Sequence, residues 1–324
     1  MRRNDLDYSR GLAILMILVG HSNGMNDFCV KLIYSFHVPL FFVITGMLVR
    51  YTDSASNCWR RTLKNRFLYT VLPCIVWEII LSVFYFFVKG ISAKELVVNS
   101  LTLNFNLSVL WFIPCMLVAE ATWLGILKAS RKIAKKQDPM AVSLSAIAVF
   151  GMAGAIVNVL FLKRVLIATA FLAFGYTFER LRENGRIKKI ICHPCTCVLT
   201  AIMWFASAAI NIKPDLAGGI LGNPFLYYAS SAFGSISIIL AFGYVKWKIS
   251  PLLWVGKNSL AFFFTHPFVR HGIIAIGEKI FCISVEGLLL AALMILADAV
   301  FVWCIEKTVP EMIGQKRKKR VVKE

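Results

Sequence analysis

Ser9-Arg10-Gly11-Leu12-Ala13-Ile14-Leu15-Met16-Ile17-Leu18-Val19-Gly20-His21-Ser22-Asn23-Gly24-Met25 is an apolar run with a fixed positive charge near one end and an imidazole near the other. Its length suits a helix crossing the hydrocarbon of a bilayer. It follows basic residues in the manner of a signal peptide. No small-residue cleavage site comes after it, and a second apolar run starts almost at once, so it reads as a retained first span.

The pattern repeats along the whole chain. Spans are expected at residues 9 to 25, 30 to 49, 67 to 88, 107 to 127, 140 to 160, 165 to 179, 190 to 210, 225 to 245, 251 to 270 and 285 to 305, the sixth being short. With 58% hydrophobic and 16% charged residues and a mean hydropathy of +0.71, too little polar surface exists to cover a water-soluble globule. The expected class is therefore all-α: a polytopic integral membrane protein of about ten transmembrane helices. Residues 1 to 315 form its membrane domain and residues 316 to 324 a basic cytoplasmic tail.

Charge sets the expected orientation. If both termini are cytoplasmic, only Lys31, Lys89, Lys94, Lys163, Arg164, Lys213, Arg270 and Lys279 of the 36 Lys and Arg face outward, as the positive-inside rule requires. An odd number of spans would spoil that sorting. A multi-pass protein of the inner or plasma membrane is implied. The net charge of +19 lies in short loops between apolar runs and in the tail Lys316 to Arg320, which suits contact with anionic lipid in the bilayer and not with nucleic acid. Nine Cys scattered mostly through apolar segments outline no disulfide framework. Cys192, His193, Cys195 and Cys197 carry ligand chemistry but lack a second ligand pair, so no metal is expected.

Polar side chains inside spans carry the functional signal, because hydrocarbon penalises them unless they are paired or used. Arg10 and His21 are eleven residues apart, close to three turns and about 16 Å along one helix face. His37, in Ser35-Phe36-His37-Val38-Pro39-Leu40-Phe41-Phe42, lies at a depth similar to His21 on the next span, and His266 on the ninth span is also in the outer half. Three imidazoles at one depth suggest more than helix pairing. A neutral imidazole can take a proton from a hydroxyl and return it to a leaving thiolate, as acyl transfer from a thioester requires. Arg10 suits a phosphate or carboxylate.

These residues make the chain resemble the type 3 acyltransferases, membrane-bound bacterial O-acyltransferases of surface glycans. Arg10 and His21 sit in Asp7-Tyr8-Ser9-Arg10-Gly11-Leu12-Ala13-Ile14, similar to the family's opening segment. Ser35 to Gly46 resembles its second-span signature, and Leu110-Trp111-Phe112-Ile113-Pro114 its Leu-Trp-Phe-Leu motif. Trp254-Val255-Gly256-Lys257-Asn258-Ser259-Leu260 followed by His266 resembles its late Gly-Lys-Asn-Ser segment. The resemblance implies a ten-span fold, acetyl-CoA as donor co-substrate and a carbohydrate hydroxyl of the cell surface, or of its lipid-linked precursor, as acceptor. It also implies His21 as base or transient acyl carrier, His37 as its assistant, and the acyl-CoA nucleotide near Arg10. His266, Asn258, Ser259 and Trp111 are expected toward the substrate.

One departure concerns the family's Arg-x-x-Arg pair. Here Arg66-Phe67-Leu68-Tyr69 keeps only the first Arg, so Arg60, Arg61 and Lys64 are further candidates for the donor phosphates. Glu78, Glu120 and Asp298 are expected to pair or to face a cavity, and Asp215, with Gly222 and Asn223, lies in an outer loop within reach of an acceptor. Two other readings remain open on the residues alone: a transporter or glycan exporter with an intramembrane His relay, and a sensory or structural partner.

Overall fold

Backbone groups in hydrocarbon have no water to bond, so a spanning chain must satisfy them internally. The computed structural model of the protein describes residues 3–53, 65–101, 109–133 and 138–316, and these are overwhelmingly helical. The α-helices in chain order are α1 (Asn4–Gly20), α2 (Asp27–Tyr34), α3 (His37–Asp53), α4 (Leu72–Lys89), α5 (Ala93–Leu101), α6 (Phe112–Ile133) and α7 (Pro139–Ile156). They continue with α8 (Leu160–Glu183), α9 (Gly185–Ile191), α10 (Pro194–Ile210), α11 (Pro224–Gly243), α12 (Ser250–Lys257), α13 (Ser259–Ile280) and α14 (Gly287–Thr308). A single π-helical turn, Phe67–Val71, leads into α4. The one β-type pairing among the described residues is the isolated bridge between Asp215 and Ile220.

Eight segments are long and apolar enough to cross a membrane, and nine if α9 and α10, bent by 56°, count as one span. The first span, expected at residues 9 to 25, is α1 at Asn4–Gly20, five residues earlier at each end, and at 17 residues it is shorter than those eight. The expected short sixth span is corrected: α8 has 24 residues, beginning five residues before the expected start. Lys163 and Arg164, expected to face outward between two spans, lie within α8, and Arg164 is buried one turn inside the helix.

The bundle is apolar outside as well as inside. Phe87, Ile156 and Leu288 are each more than 70% exposed, as lipid-facing side chains should be. Two spans form the centre: 72% of the apolar window of α2–α3 and 67% of that of α8 is buried, against 17% for α7. They approach closely through glycines. A methyl group at Gly46 would strike the Leu172 carbonyl, and one at Gly175 would strike the Val43 carbonyl, so the two backbones meet where neither residue has a side chain. Gly256 of α12 lies likewise on the Asp7 carbonyl of α1. The start of α1 is tied to the end of α8 by Arg3, which reaches Asp5 at 2.5 Å and Glu179 at 2.6 Å.

Gly46→Ala and Gly175→Ala should each lower stability by about 1–3 kcal/mol through overpacking, whereas Gly125→Ala, where no neighbour lies within 4 Å, should be neutral. Thermal unfolding of the purified variants in detergent checks this. Equal stability for all three would contradict the close helix contact.

Candidate functional site

The site begins with two prolines, Pro39 in the first turn of α3 and Pro267 inside α13. Pro39 has no N–H to give the Ser35 carbonyl four residues earlier. The Ser231 hydroxyl of α11 donates to that carbonyl instead, at 2.6 Å, and Trp204 Nε1 of α10 donates to the Ser35 hydroxyl at 2.9 Å. The chain turns at Ser35 and Phe36 between α2 and α3, and His37 Nδ1 meets the Ile33 carbonyl at 2.7 Å. A carbonyl only accepts, so Nδ1 carries the proton and, in the neutral ring, Nε2 is left as an acceptor. On α13, Pro267 stands beside His266, whose Nδ1 meets the Phe262 carbonyl at 3.1 Å.

His21 comes directly after α1 and closes it, its N–H reaching the Ile17 carbonyl at 3.0 Å. Its own carbonyl accepts from Arg270 Nε at 2.8 Å, and Arg270 Nη2 donates to Asn23 Oδ1 at 2.7 Å. The His21 ring stacks on buried His266, with centroids 5.3 Å apart and planes at 27°. The Tyr34 ring stands edge-on to His37 at 5.0 Å. Each imidazole is thus fixed by backbone bonds or ring contacts from a neighbouring element.

A cavity of ≈ 670 Å³ joins these groups to the opposite end of the bundle. That volume is within the range of small-molecule sites, about 300–1,000 Å³. Along α1 its wall is Arg10, Ile14, Ile17 and finally His21. The antiparallel α3 supplies His37, Phe41, Thr45 and Leu48. Arg66, Thr70 and Ser259 therefore line the Arg10 end, while Tyr34, Trp111, Arg164 and the Asp215 to Gly218 turn line the His21 end. The eleven residues from Arg10 to His21 correspond to about 16 Å of rise.

The expected site residues divide accordingly. Arg10, Arg66, Ser259, Trp111, His21 and His37 share the cavity wall. His266 does not line it but backs His21. Asn258 is buried at the break between α12 and α13, where its Nδ2 donates to the Trp254 carbonyl at 3.1 Å and its Oδ1 accepts from Gln315 Nε2. Arg60, Arg61 and Lys64 lie outside the described residues. Glu120 pairs with Arg66 at 2.7 Å, Glu78 accepts from the Ser100 hydroxyl at 3.1 Å, and buried Asp298 accepts from the Thr265 hydroxyl at 2.5 Å. His193 caps α10 by accepting from the Cys195 N–H at 3.2 Å.

Arg164 and Tyr34 were not among the sequence candidates. The Arg164 guanidinium lies 4.8 Å from the centre of the Trp111 ring and donates to the Ala217 carbonyl. The turn it supports is stitched by Asn211, which donates to the Leu221 carbonyl at 2.9 Å and accepts from Asn223 N–H at 2.9 Å. The usable signal in the sequence is an arginine within one helical turn of an apolar run, since α8 starts at Leu160. Tyr34 gave no signal beyond its place one turn before His37.

A family model described as "Acyltransferase domain" matches residues 3–305 of the chain. No curated protein and no solved structure matches it.

The Arg66–Glu120 pair lies at the Arg10 end of the cavity, with the Glu120 side chain only 9% exposed. Arg66→Ala should destabilise the protein by about 1–3 kcal/mol by leaving that carboxylate without its donor. Adding Glu120→Gln should recover most of the loss. Thermal unfolding of the three variants checks it, and strictly additive effects would contradict the pairing.

Proposed function

Because the chain belongs to the type 3 acyltransferase family, and is therefore a multi-pass membrane acyltransferase, we propose that it moves an acetyl group from acetyl-CoA to a hydroxyl of a cell-surface carbohydrate or its lipid-linked precursor. The observation that carries this reading is the single cavity running from Arg10 to His21. In this reading a charged donor and an acceptor approach one imidazole from opposite ends of the cavity wall.

In this scheme the phosphates of the donor rest at the Arg10 end, held by Arg10 and by those Arg66 N–H groups not turned to Glu120. The extended pantetheine arm follows the wall formed by Ile14, Ile17 and Thr45, a distance comparable to its length. The thioester then lies beside His21. The acceptor enters from the other end, between Trp111 and the Asp215 turn, where an aromatic ring and a carboxylate suit a hydroxyl-rich ligand.

His21 takes the proton from the acceptor hydroxyl as its oxygen bonds to the thioester carbonyl carbon. The carbon–sulfur bond breaks, and the imidazolium returns the proton to the leaving thiolate, so acetyl ester and free thiol are the products. His37 assists through Nε2, which its bond to Ile33 leaves as an acceptor. His266 and Arg270 act on His21 by holding its ring and its backbone. Entry of the donor from the cytoplasm, with both termini on that side, follows from the charge distribution. The exporter reading gives way to the family membership.

His21→Ala should lower acetyl transfer by about a hundredfold or more, the usual cost of losing acid–base catalysis. Arg10→Gln should chiefly raise KM for acetyl-CoA. Purified protein assayed with acetyl-CoA and isolated surface glycan checks both, and a His21→Ala enzyme within a few-fold of wild type removes that residue from the reaction.

A further inference from the structure

A second pocket, ≈ 330 Å³, lies on the other side of α1 from the cavity. Tyr8 lines the pocket and Arg10 the cavity, and two residues turn a helix by about 200°. Beside Tyr8 stand Asp5, the Arg182 side chain from the end of α8, and the connection after α11, with Lys246, Trp247 and Lys248. None of these has a part in the proposed transfer reaction.

The charges here do not cancel. Asp5 and Glu179 are answered by Arg3 and Arg182 through ion pairs of 2.5 to 3.9 Å. Lys246 and Lys248 add two positive charges on the same pocket. Tyr8 supplies an independent pointer to a ligand. It is 2% exposed, and its oxygen accepts from the Ile249 N–H at 3.1 Å, so its hydroxyl proton is turned elsewhere. No described residue accepts that proton. A buried O–H donor without a described acceptor, on the same pocket wall as two lysines, fits an anion with several acceptor oxygens.

The surroundings identify the class of anion. Trp247 is 70% exposed although it is large and largely apolar, and it lies between the lysines just beyond the end of an apolar helix. That is the placement of an indole at a bilayer's headgroup level. We propose that the pocket holds the phosphate of an anionic phospholipid headgroup. Tyr8 donates to a phosphate oxygen, Lys246 and Lys248 balance its charge, and Trp247 lies along the glycerol region. The lipid would stabilise the connection into α12, the helix that rests on the Asp7 carbonyl of α1.

The test counts phosphatidylglycerol and phosphatidylcholine retained by the purified full-length protein in native mass spectrometry. Wild type should retain one phosphatidylglycerol molecule that the double variant Lys246→Gln/Lys248→Gln loses, with apparent affinity falling about tenfold or more. Both lysines are exposed, so unfolding of the double variant in phosphatidylcholine should match wild type. Tyr8→Phe, which keeps the ring, should weaken retention without changing the preference for a negative lipid. The proposal is overturned if the double variant keeps the lipid, or if phosphatidylcholine is held equally well. Displacement by millimolar inorganic phosphate or 3′,5′-ADP would overturn it too, assigning the pocket to a soluble phosphate.

Discussion

An imidazole held within an apolar bundle needs partners supplied by the protein, and here backbone carbonyls and neighbouring rings supply them. Pro39 withholds one backbone N–H, Ser231 satisfies the carbonyl so freed, and the turn that results offers the Ile33 carbonyl to His37. His266, beside Pro267, is anchored to Phe262 and presents a flat face to His21. His21 is held in turn by the end of α1 and by Arg270. Each ring therefore has a defined orientation without direct bonding between the three imidazoles, which leaves nitrogen atoms available to a substrate. The same bonds offset much of the cost of placing polar rings there.

The glycine contacts give this arrangement its shape. α3 and α8 meet backbone to backbone at Gly46 and Gly175, so the second span cannot retreat from the centre of the bundle. α12 closes on α1 at Gly256 in the same way. The cavity is what remains between α1, α3, α6 and α13 once those contacts are made, and its wall runs from Arg10 at one end to His21 at the other. In the proposed reaction that geometry separates the charged nucleotide of the donor from the hydroxyl being acylated.

Much of this was legible in the sequence because it rests on local patterns. Apolar runs locate the spans, and the spacing from Arg10 to His21 places both side chains on one face of a helix, which the cavity wall reproduces. What stayed hidden depends on contacts between distant segments. Arg164 reads as a loop charge until α8 is seen to start at Leu160, and its stacking on Trp111 joins residues from two separate spans. Asn258 reads as a candidate substrate group, yet its amide is engaged at a helix break by Trp254 and Gln315. His266 stacks on His21, but spacing alone does not tell a ring that lines a cavity from one that backs its neighbour.

The central claim is that a donor entering beside Arg10 reaches the imidazole of His21. The most direct measurement is a structure of the protein with a non-hydrolysable acetyl-CoA analogue. Phosphate groups are expected against Arg10 and Arg66, and the analogue's carbonyl carbon at the His21 end of the cavity, close enough for an acceptor oxygen about 3–3.5 Å away to reach the ring. An analogue bound elsewhere, or one whose acetyl group stops short of His21 while the cavity stays empty, would contradict it.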